Sequence, residues 1–386
     1  MLRLPMSSSP EEASRRLRDA LTDAARGLVE REVLVELIAL SAVAGEHLLV
    51  IGPPGTAKSE AVRRVSRALG GSYFEYLLGR FTEPSEIFGP VDLRKLKDGL
   101  VETETTGMLP EAEIAFLDEV FLGSTAILNT LLALLNERTF RRGHTRIDCP
   151  LRVCVGASNA IPEDESLAAF ADRFLVRVFL QPVPDPQLEA LLEGGWALLS
   201  AASPRTATLA DLDAVAQAAR AMDLSLARPH LANALRILRQ AGITLSDRRA
   251  VKAQRLIAAA AALAGRAAPT RADLWPLVYA VPGEEAQKVA RDALRELLSE
   301  TDNAALPAAA ADASLGPLAR AARIVAQGRD VLAARPAHED VAALAAWCLR
   351  LEGVAREIDA GFSQDRLPPE LRALRSQIVE VLRPTA

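Results

Sequence analysis

The stretch HLLVIGPPGTAKS, residues 47–59, joins a short apolar run to a loop rich in glycine and proline. Residues 47–51 predict a buried strand, and residues 60–69 place apolar side chains at helical spacing. The loop between them departs at one position from the phosphate-binding pattern Gly-x-x-x-x-Gly-Lys-Ser/Thr, because Ala57 stands where the pattern has its second glycine. Strand, loop and helix in this order are the context in which a phosphate-binding loop forms.

The loop consists of Gly52, Pro53, Pro54, Gly55, Thr56, Ala57, Lys58 and Ser59. In such a loop, backbone N–H groups and the N-terminus of the following helix surround phosphate oxygens. Lys58 would then reach the β- and γ-phosphates, and the Ser59 hydroxyl would bind Mg²⁺. The residues alone also allow an ordinary strand-to-helix turn, because Ala57 adds a Cβ where the backbone approaches a ligand.

Two further apolar runs end in polar side chains. Residues 114–119, IAFLDE, predict a strand in which Asp118 would bind Mg²⁺ and Glu119 would polarise the attacking water. Residues 153–159 end in Asn159, whose amide would orient the water or the γ-phosphate. Surface carboxylates and a turn asparagine are the alternatives. Because ligands bind at the carboxyl ends of strands in open parallel sheets, these side chains and the loop predict one site.

The remaining pattern predicts a helical protein around a parallel sheet. A helical pattern runs from about residue 12 to 43, and residues 176–180 predict a fourth strand. Strands that alternate with helices indicate a parallel sheet covered on both faces. Three prolines within residues 182–186 interrupt regular structure, and the pattern from there onwards is helical, with a second break at Pro282-Gly283.

Composition bounds the function. The 386 residues carry a net charge of −5 with a pI near 5.6, which argues against a globally basic nucleic-acid-binding protein. Three cysteines without metal-ligand spacing indicate neither a disulfide framework nor a zinc site, and fit a reducing cytosol. Charged residues precede any apolar run at the start, and no apolar stretch approaches the roughly 20 residues of a membrane span. A cytoplasmic protein without a membrane span is expected.

Taken together, the motifs resemble those of AAA+ ATPases of the MoxR family, and within it the RavA-like branch, over about residues 25–285. The segments that carry the resemblance are GPPGTAKS, FEYLLGRFTEPSEIFGP, TGMLPEAEIAFLDEVF, AILNTLLALLNERTFRRG, GASNAIPEDE, ADRFLVR and SDRRAVKA. RavA-like proteins resemble this chain even in the alanine before the loop lysine. The resemblance therefore implies that the loop with Ala57 binds ATP or ADP.

The resemblance implies a role for each matching residue: Walker A for Lys58 and Ser59, Walker B for Asp118 and Glu119, sensor 1 for Asn159, arginine finger for Arg173, and sensor 2 for Arg248 with Arg249 as the alternative. An arginine finger inserts into a neighbouring subunit's site and neutralises charge in the transition state. From the residues alone, a solvated or salt-bridged surface side chain is the better explanation of each of these arginines, and the family resemblance reverses that more firmly for Arg173 than for Arg248.

The implied architecture is an α/β AAA+ core at residues 1–185, an α-helical lid at 186–282 and a C-terminal helical domain at 283–386. Two inserts, residues 79–110 and a hairpin at 139–147, would face the pore or one surface of a ring. The implied function is Mg²⁺-dependent ATP hydrolysis by a ring, a hexamer in the family, that remodels or matures a protein client and works with a von Willebrand factor A (vWA) partner.

Two alternatives stay open at this level. One is a related AAA+ motor that acts on nucleic acid or as a metal-chelatase subunit, although nucleic acid is not the expected partner of this acidic chain. The other is a scaffold that binds ATP but barely hydrolyses it.

Overall fold

Five parallel strands form the central sheet of the computed structural model, which describes residues 9–162, 164–198, 207–315, 317–336, 341–361 and 367–382. The strand order is β2-β3-β6-β1-β7, and β4 and β5 form a separate antiparallel hairpin. The strands are β1 His47–Ile51, β2 Tyr73–Leu77, β3 Ile114–Asp118, β4 Thr139–Arg142, β5 Thr145–Asp148, β6 Val153–Ser158 and β7 Phe174–Phe179. Strand β2 lacked the continuous apolar run that predicted the other four strands of the sheet, because only Phe74 of its five residues is buried.

The described residues of the first half of the chain form seven α-helices: α1 Pro10–Ala25, α2 Glu32–Ala44, α3 Lys58–Leu69, α4 Pro84–Phe88, α5 Leu93–Lys97, α6 Thr125–Glu137 and α7 Glu165–Ala171. The helical pattern expected over residues 12–43 is therefore two helices. The chain turns between them through two left-handed residues, Gly27 with φ 78° and Glu30 with φ 60°, which end the first helix and start a new direction.

The second half of the described chain is helical: α8 Leu188–Leu198, α9 Leu209–Ala221, α10 Ala227–Gln240, α11 Asp247–Leu263, α12 Glu284–Ala293, α13 Pro307–Leu315, α14 Pro317–Ala333, α15 Val341–Gly361 and α16 Pro369–Leu382. A parallel sheet flanked by helices and followed by helical segments confirms the predicted fold class. In the described ranges, no helix is long and apolar enough to cross a membrane.

Alternate residues of each central strand enter two different hydrophobic cores. In β1, Leu48 and Val50 join the core formed with α1, α2 and the helices α9–α13, whereas Leu49 and Ile51 join the core under α6. Successive side chains of a strand point to opposite faces, so the all-apolar strand places one core on each side of the sheet. A third, separate core lies within α14–α16.

These cores bear on the predicted domains. Ala290 of α12 and Ala309 of α13 belong to the same core as α1 and α2, although residues 283 onwards were assigned to the C-terminal domain. The separate third core begins at Ala321. The boundaries at 185/186 and 282/283 stay predictions.

The two predicted inserts contact each other. The hairpin expected at 139–147 is formed by β4 and β5, and within the other insert an antiparallel bridge joins Val91 to Thr103. At the tip of the hairpin, His144 N donates to Val101 O over 2.8 Å, and Thr103 N donates to the Thr145 hydroxyl over 2.8 Å. The inserts therefore form one structure, which joins the core under α6 through Phe88 and Phe140.

Arg249, at the start of α11, anchors this helix to the sheet. Its guanidinium is almost fully buried and donates to Ala280 O at 2.8 Å, to Leu175 O at 2.5 Å and to the Asp172 carboxylate at 3.1 Å. Burial lowers the pKa of Arg249, and the charge of Asp172 opposes that shift. The side chain next to it, Arg248, is exposed.

Replacing these two arginines in turn separates anchoring from surface charge. We expect Arg249→Ala to lower the free energy of unfolding by about 2–4 kcal/mol, because it leaves buried acceptors unpaired. Arg248→Ala is the matched control and should change it by less than about 0.5 kcal/mol. Urea denaturation of both variants measures the difference. Equal stability of the two variants would contradict the anchoring role.

Candidate active site

The predicted phosphate-binding loop, the two carboxylates and Asn159 meet at the carboxyl edge of the sheet because of the strand order. The loop 52–59 follows β1, Asp118 ends β3, and Asn159 follows β6, the strand that lies between β1 and β3. The loop is tied directly to this middle strand, since Gly52 N donates to Ser158 O over 3.1 Å. Asn159 is therefore placed between the loop and the carboxylates.

Glu119 and Asn159 form a pair at this edge. Asn159 Nδ2 donates to Glu119 Oε1 over 2.6 Å. The Glu119 backbone is left-handed, with φ 48°, and its N–H donates to Asp118 Oδ1 over 3.0 Å. A non-glycine residue in this conformation costs about 1–3 kcal/mol, and such strain clusters at functional sites. The strained turn directs two adjacent carboxylates to different partners.

Ala57 also adopts a left-handed backbone, with φ 58° and ψ 29°, directly before α3. This conformation is the one that glycine adopts without steric cost, which explains why the phosphate-binding pattern has glycine here. The alanine is accommodated, and the loop leads into α3 as the pattern requires. No described side chain caps the N-terminus of α3, so its first N–H groups are available to an anion.

Lys58 lies in the mouth of the loop. Its Nζ donates to Gly52 O over 2.7 Å and to Pro53 O over 3.1 Å. Burial lowers the pKa of Lys58, while the charges of Asp118 and Glu119 raise it. The ammonium is thus held close to both carboxylates, where it can bind an anionic ligand that enters the loop.

The available oxygen ligands fit Mg²⁺ together with a nucleotide. Ser59, in the first turn of α3, supplies a hydroxyl and Asp118 a carboxylate, both half-buried at the same edge. Among the described residues, no group of three or more His, Cys, Asp or Glu side chains could hold a metal by itself. Mg²⁺ is typically bound by one or two protein oxygens plus substrate phosphates and water. The Ser59 hydroxyl and the Asp118 carboxylate are two protein oxygens of this kind.

Arg31 supports the loop, and sequence reasoning missed it. This buried side chain donates from Nε to Thr56 O over 2.8 Å and from Nη2 to Gln181 O over 2.9 Å. It therefore joins the loop to the segment that follows β7 at the same edge. Arg31 lies far from the loop in sequence, outside any motif, so no local pattern identified it.

Arg173 and Arg248 lie at the opposite edge of the sheet. Arg173 directly precedes β7, whose first residue, Phe174, pairs with His47 at the start of β1. A five-residue strand spans roughly 15 Å, so β1 separates Arg173 from the loop of its own chain. Arg248 is adjacent to Arg249, whose guanidinium binds Asp172 over 3.1 Å, and it belongs to that same amino edge.

The structure thus brings together Lys58, Ser59, Asp118, Glu119 and Asn159, and it leaves Arg173 and Arg248 apart from them. The roles of all seven residues remain predictions.

Comparison with known families identifies two regions. The model of the "MoxR domain in the MoxR-vWA-beta-propeller ternary systems" matches residues 15–218, which is more than half of the chain. The model of an AAA lid domain matches residues 228–291. The first match contains the loop, both carboxylates and Asn159, and the second contains Arg248.

Among individual proteins, an uncharacterised protein of Methanocaldococcus jannaschii is 36% identical over 249 residues, covering 64% of this chain and 66% of that protein. The protein named "Chaperone MoxR1" from Mycobacterium tuberculosis is 26% identical over 184 residues, covering 46% of this chain and 48% of that protein. The chain thus spans less than two thirds of the length of these relatives.

A solved structure, described as a putative ATPase from Cytophaga hutchinsonii, has the same fold. It superposes with a TM-score of 0.61 at 15% identity, over 76% of this chain and 96% of that one.

The strain at Ala57 is testable. We expect Ala57→Gly to raise the free energy of unfolding by about 0.5–1 kcal/mol, because relief of the left-handed strain exceeds the added entropy of the unfolded chain. The matched control is Ala61→Gly, one turn into the same helix, which should destabilise by about 1 kcal/mol or more. Thermal or urea unfolding measures both. Destabilisation by both variants would contradict the strained loop.

Proposed function

Because the chain belongs to the MoxR family of AAA+ proteins, we propose that it is a Mg²⁺-dependent ATPase that assembles into a ring and remodels or matures protein clients. One observation carries the hydrolytic part of this proposal: Asn159 holds Glu119 by a 2.6 Å hydrogen bond beside the loop that contains Lys58. A carboxylate held by an amide beside a phosphate-binding loop can orient the water molecule that attacks the γ-phosphate.

Each residue of the candidate site has a distinct part in the proposed reaction. The backbone N–H groups at the start of α3 and the Lys58 ammonium bind the β- and γ-phosphates. Glu119 polarises the attacking water, and Asn159 fixes the orientation of the Glu119 carboxylate. Ser59 and Asp118 would hold Mg²⁺, which would supply positive charge to neutralise the phosphates.

The arginine part of the reaction is proposed to occur between subunits. Arg173 lies a strand's length from the loop of its own chain, which supports the proposal that it acts on the nucleotide of a neighbouring copy. The same placement applies to Arg248, which therefore would also act between subunits if it is sensor 2. Arg249 is the weaker candidate for that role, because its guanidinium is occupied with Ala280, Leu175 and Asp172.

The partner is proposed at the level of its class. The matching family model describes domains from ternary systems with a vWA protein and a β-propeller protein, so a vWA-domain protein is the proposed partner. A hexameric ring, a cytoplasmic location and the RavA-like branch, for which Ala57 in the loop is the main support, belong to the same proposal.

The proposal is tested by phosphate release from Mg²⁺-ATP over a range of protein concentrations. We expect the rate per subunit to rise with concentration, and Glu119→Gln to lower it by about 10²-fold or more, because the general base is lost. Glu137→Gln, at the exposed end of α6, is the matched control and should retain the wild-type rate.

Two results would redirect the interpretation. ATP binding with no phosphate release above the Glu119→Gln background, at any concentration, would contradict hydrolysis and leave a nucleotide-gated scaffold. Strong stimulation by nucleic acid would contradict the client proposal in favour of a motor that acts on nucleic acid.

A further inference from the structure

Helix α8 displays an apolar stripe to solvent. Leu188, Leu192 and Trp196 follow one another at four-residue spacing and are 44%, 73% and 78% exposed. On the other side of the helix, Gly194 rests against the turn after α1, where an added Cβ would lie 2.8 Å from Gly27 O. The helix is thus fixed by its glycine side, and its large apolar side chains point away from the chain. Contiguous exposed apolar surface of this kind marks interaction sites.

A cleft of about 730 Å³ lies elsewhere on the molecule, between the core and helices α9 and α11. Its apolar wall includes Val43, Leu151 and Leu212, and Val251 stands at its rim, 64% exposed. Four arginines line it, Arg138, Arg152, Arg220 and Arg255, against a single aspartate, Asp213. Arg152 pairs with Asp213 and Glu113, Arg255 pairs with Glu46, and Arg138 donates to Gly45 O. The cleft is therefore apolar inside, and Arg220 is the exposed lining arginine that lies outside these contacts.

Stripe and cleft lie at opposite edges of the sheet. Helix α8 follows the carboxyl end of β7, near the turn where Arg31 supports the nucleotide loop. The core residues that line the cleft, 42–45 and 149–152, directly precede the amino ends of β1 and β6. The cleft therefore shares its edge with Arg173. When Arg173 of one copy reaches the loop of the next, the cleft edge of the first copy faces the α8 edge of the second.

We propose that the apolar stripe of α8 seats in the core–lid cleft of a neighbouring copy of this chain. Charge complementarity supports this occupant at one pair, the exposed Glu193 beside the stripe and the exposed Arg220 of the cleft. Glu189, by contrast, already pairs with Arg350 of the same chain over 2.6 Å. The stripe at one edge and the cleft at the other would make a heterologous contact. Contacts of this kind form a ring when the rotation between successive copies closes. The inference rests on the proposed function, since it uses the same head-to-tail arrangement that brings Arg173 to a neighbour.

Cross-linking tests the contact in the full chain. In a Cys348→Ala background, where the remaining native cysteines are buried, Trp196→Cys is combined with Val251→Cys and treated with a bifunctional maleimide. We expect a ladder of covalent oligomers in the presence of Mg²⁺ and ATP. The matched control combines Val251→Cys with Ala190→Cys, which is also exposed but lies on another side of α8, and it should give no ladder.

A functional readout uses the same surface without cysteines. We expect Trp196→Ala to raise the protein concentration needed for half-maximal ATPase by about tenfold, because a buried aromatic anchor is lost from each contact. The rate at saturating concentration should be unchanged, since Trp196 lies outside the catalytic residues.

Charge reversal tests whether the two surfaces contact each other. Glu193→Arg should weaken assembly, and Arg220→Glu in the same chain should restore it.

The outcomes separate this inference from the proposed function. A concentration-dependent ATPase without a ladder, and with an unchanged half-maximal concentration in Trp196→Ala, overturns the contact and leaves the ATPase proposal intact. A ladder from a chain that never hydrolyses ATP supports the contact and overturns the ATPase. A ladder that is equally strong in the Ala190→Cys control overturns the contact as well, because it reports random collision.

Discussion

All five strands of the sheet run in the same direction, and this constraint decides which residues of one chain can meet. The carboxyl ends of β1, β3 and β6 lie side by side, so the loop, Asp118 and Asn159 converge although about 100 residues separate the first from the last. The same constraint keeps Arg173 at the other edge, next to the start of β1. The proposed function therefore requires a neighbouring copy, arranged head to tail, to bring Arg173 to the loop.

Two left-handed residues sit within this edge, Ala57 before α3 and Glu119 after β3. Each is a non-glycine residue in a conformation that costs free energy, and each lies where the backbone turns sharply at the carboxyl edge of the sheet. The hydrogen bonds of neighbouring residues hold the strained turns in place: Arg31 binds the loop at Thr56 O, and Asn159 binds the Glu119 carboxylate. These hydrogen bonds to residues around the sheet thus keep Thr56 O and the Glu119 carboxylate in position.

Most of the fold was predictable because buried parallel strands are continuous apolar runs, as in β1 and β6. Strand β2 was not, since only one of its five residues, Phe74, is buried. Local motifs also identified the loop, the carboxylates and Asn159. Sequence reasoning could not rank Arg248 against Arg249, because adjacent arginines at the start of a helix differ only in where the tertiary structure directs them. The role of Arg31 was not predictable from local sequence either, since its partners are backbone carbonyls distant in sequence.

Mixing two inactive variants tests the shared site most directly. Glu119→Gln and Arg173→Ala are each expected to abolish phosphate release alone, since one lacks the general base and the other the arginine. In an equal mixture, a site formed by the loop of the Arg173→Ala copy and the arginine of the Glu119→Gln copy is intact. Random head-to-tail assembly then predicts recovery to about a quarter of the wild-type rate per subunit. A mixture as inactive as its components, or an Arg173→Ala variant with full activity, would contradict a site shared between copies.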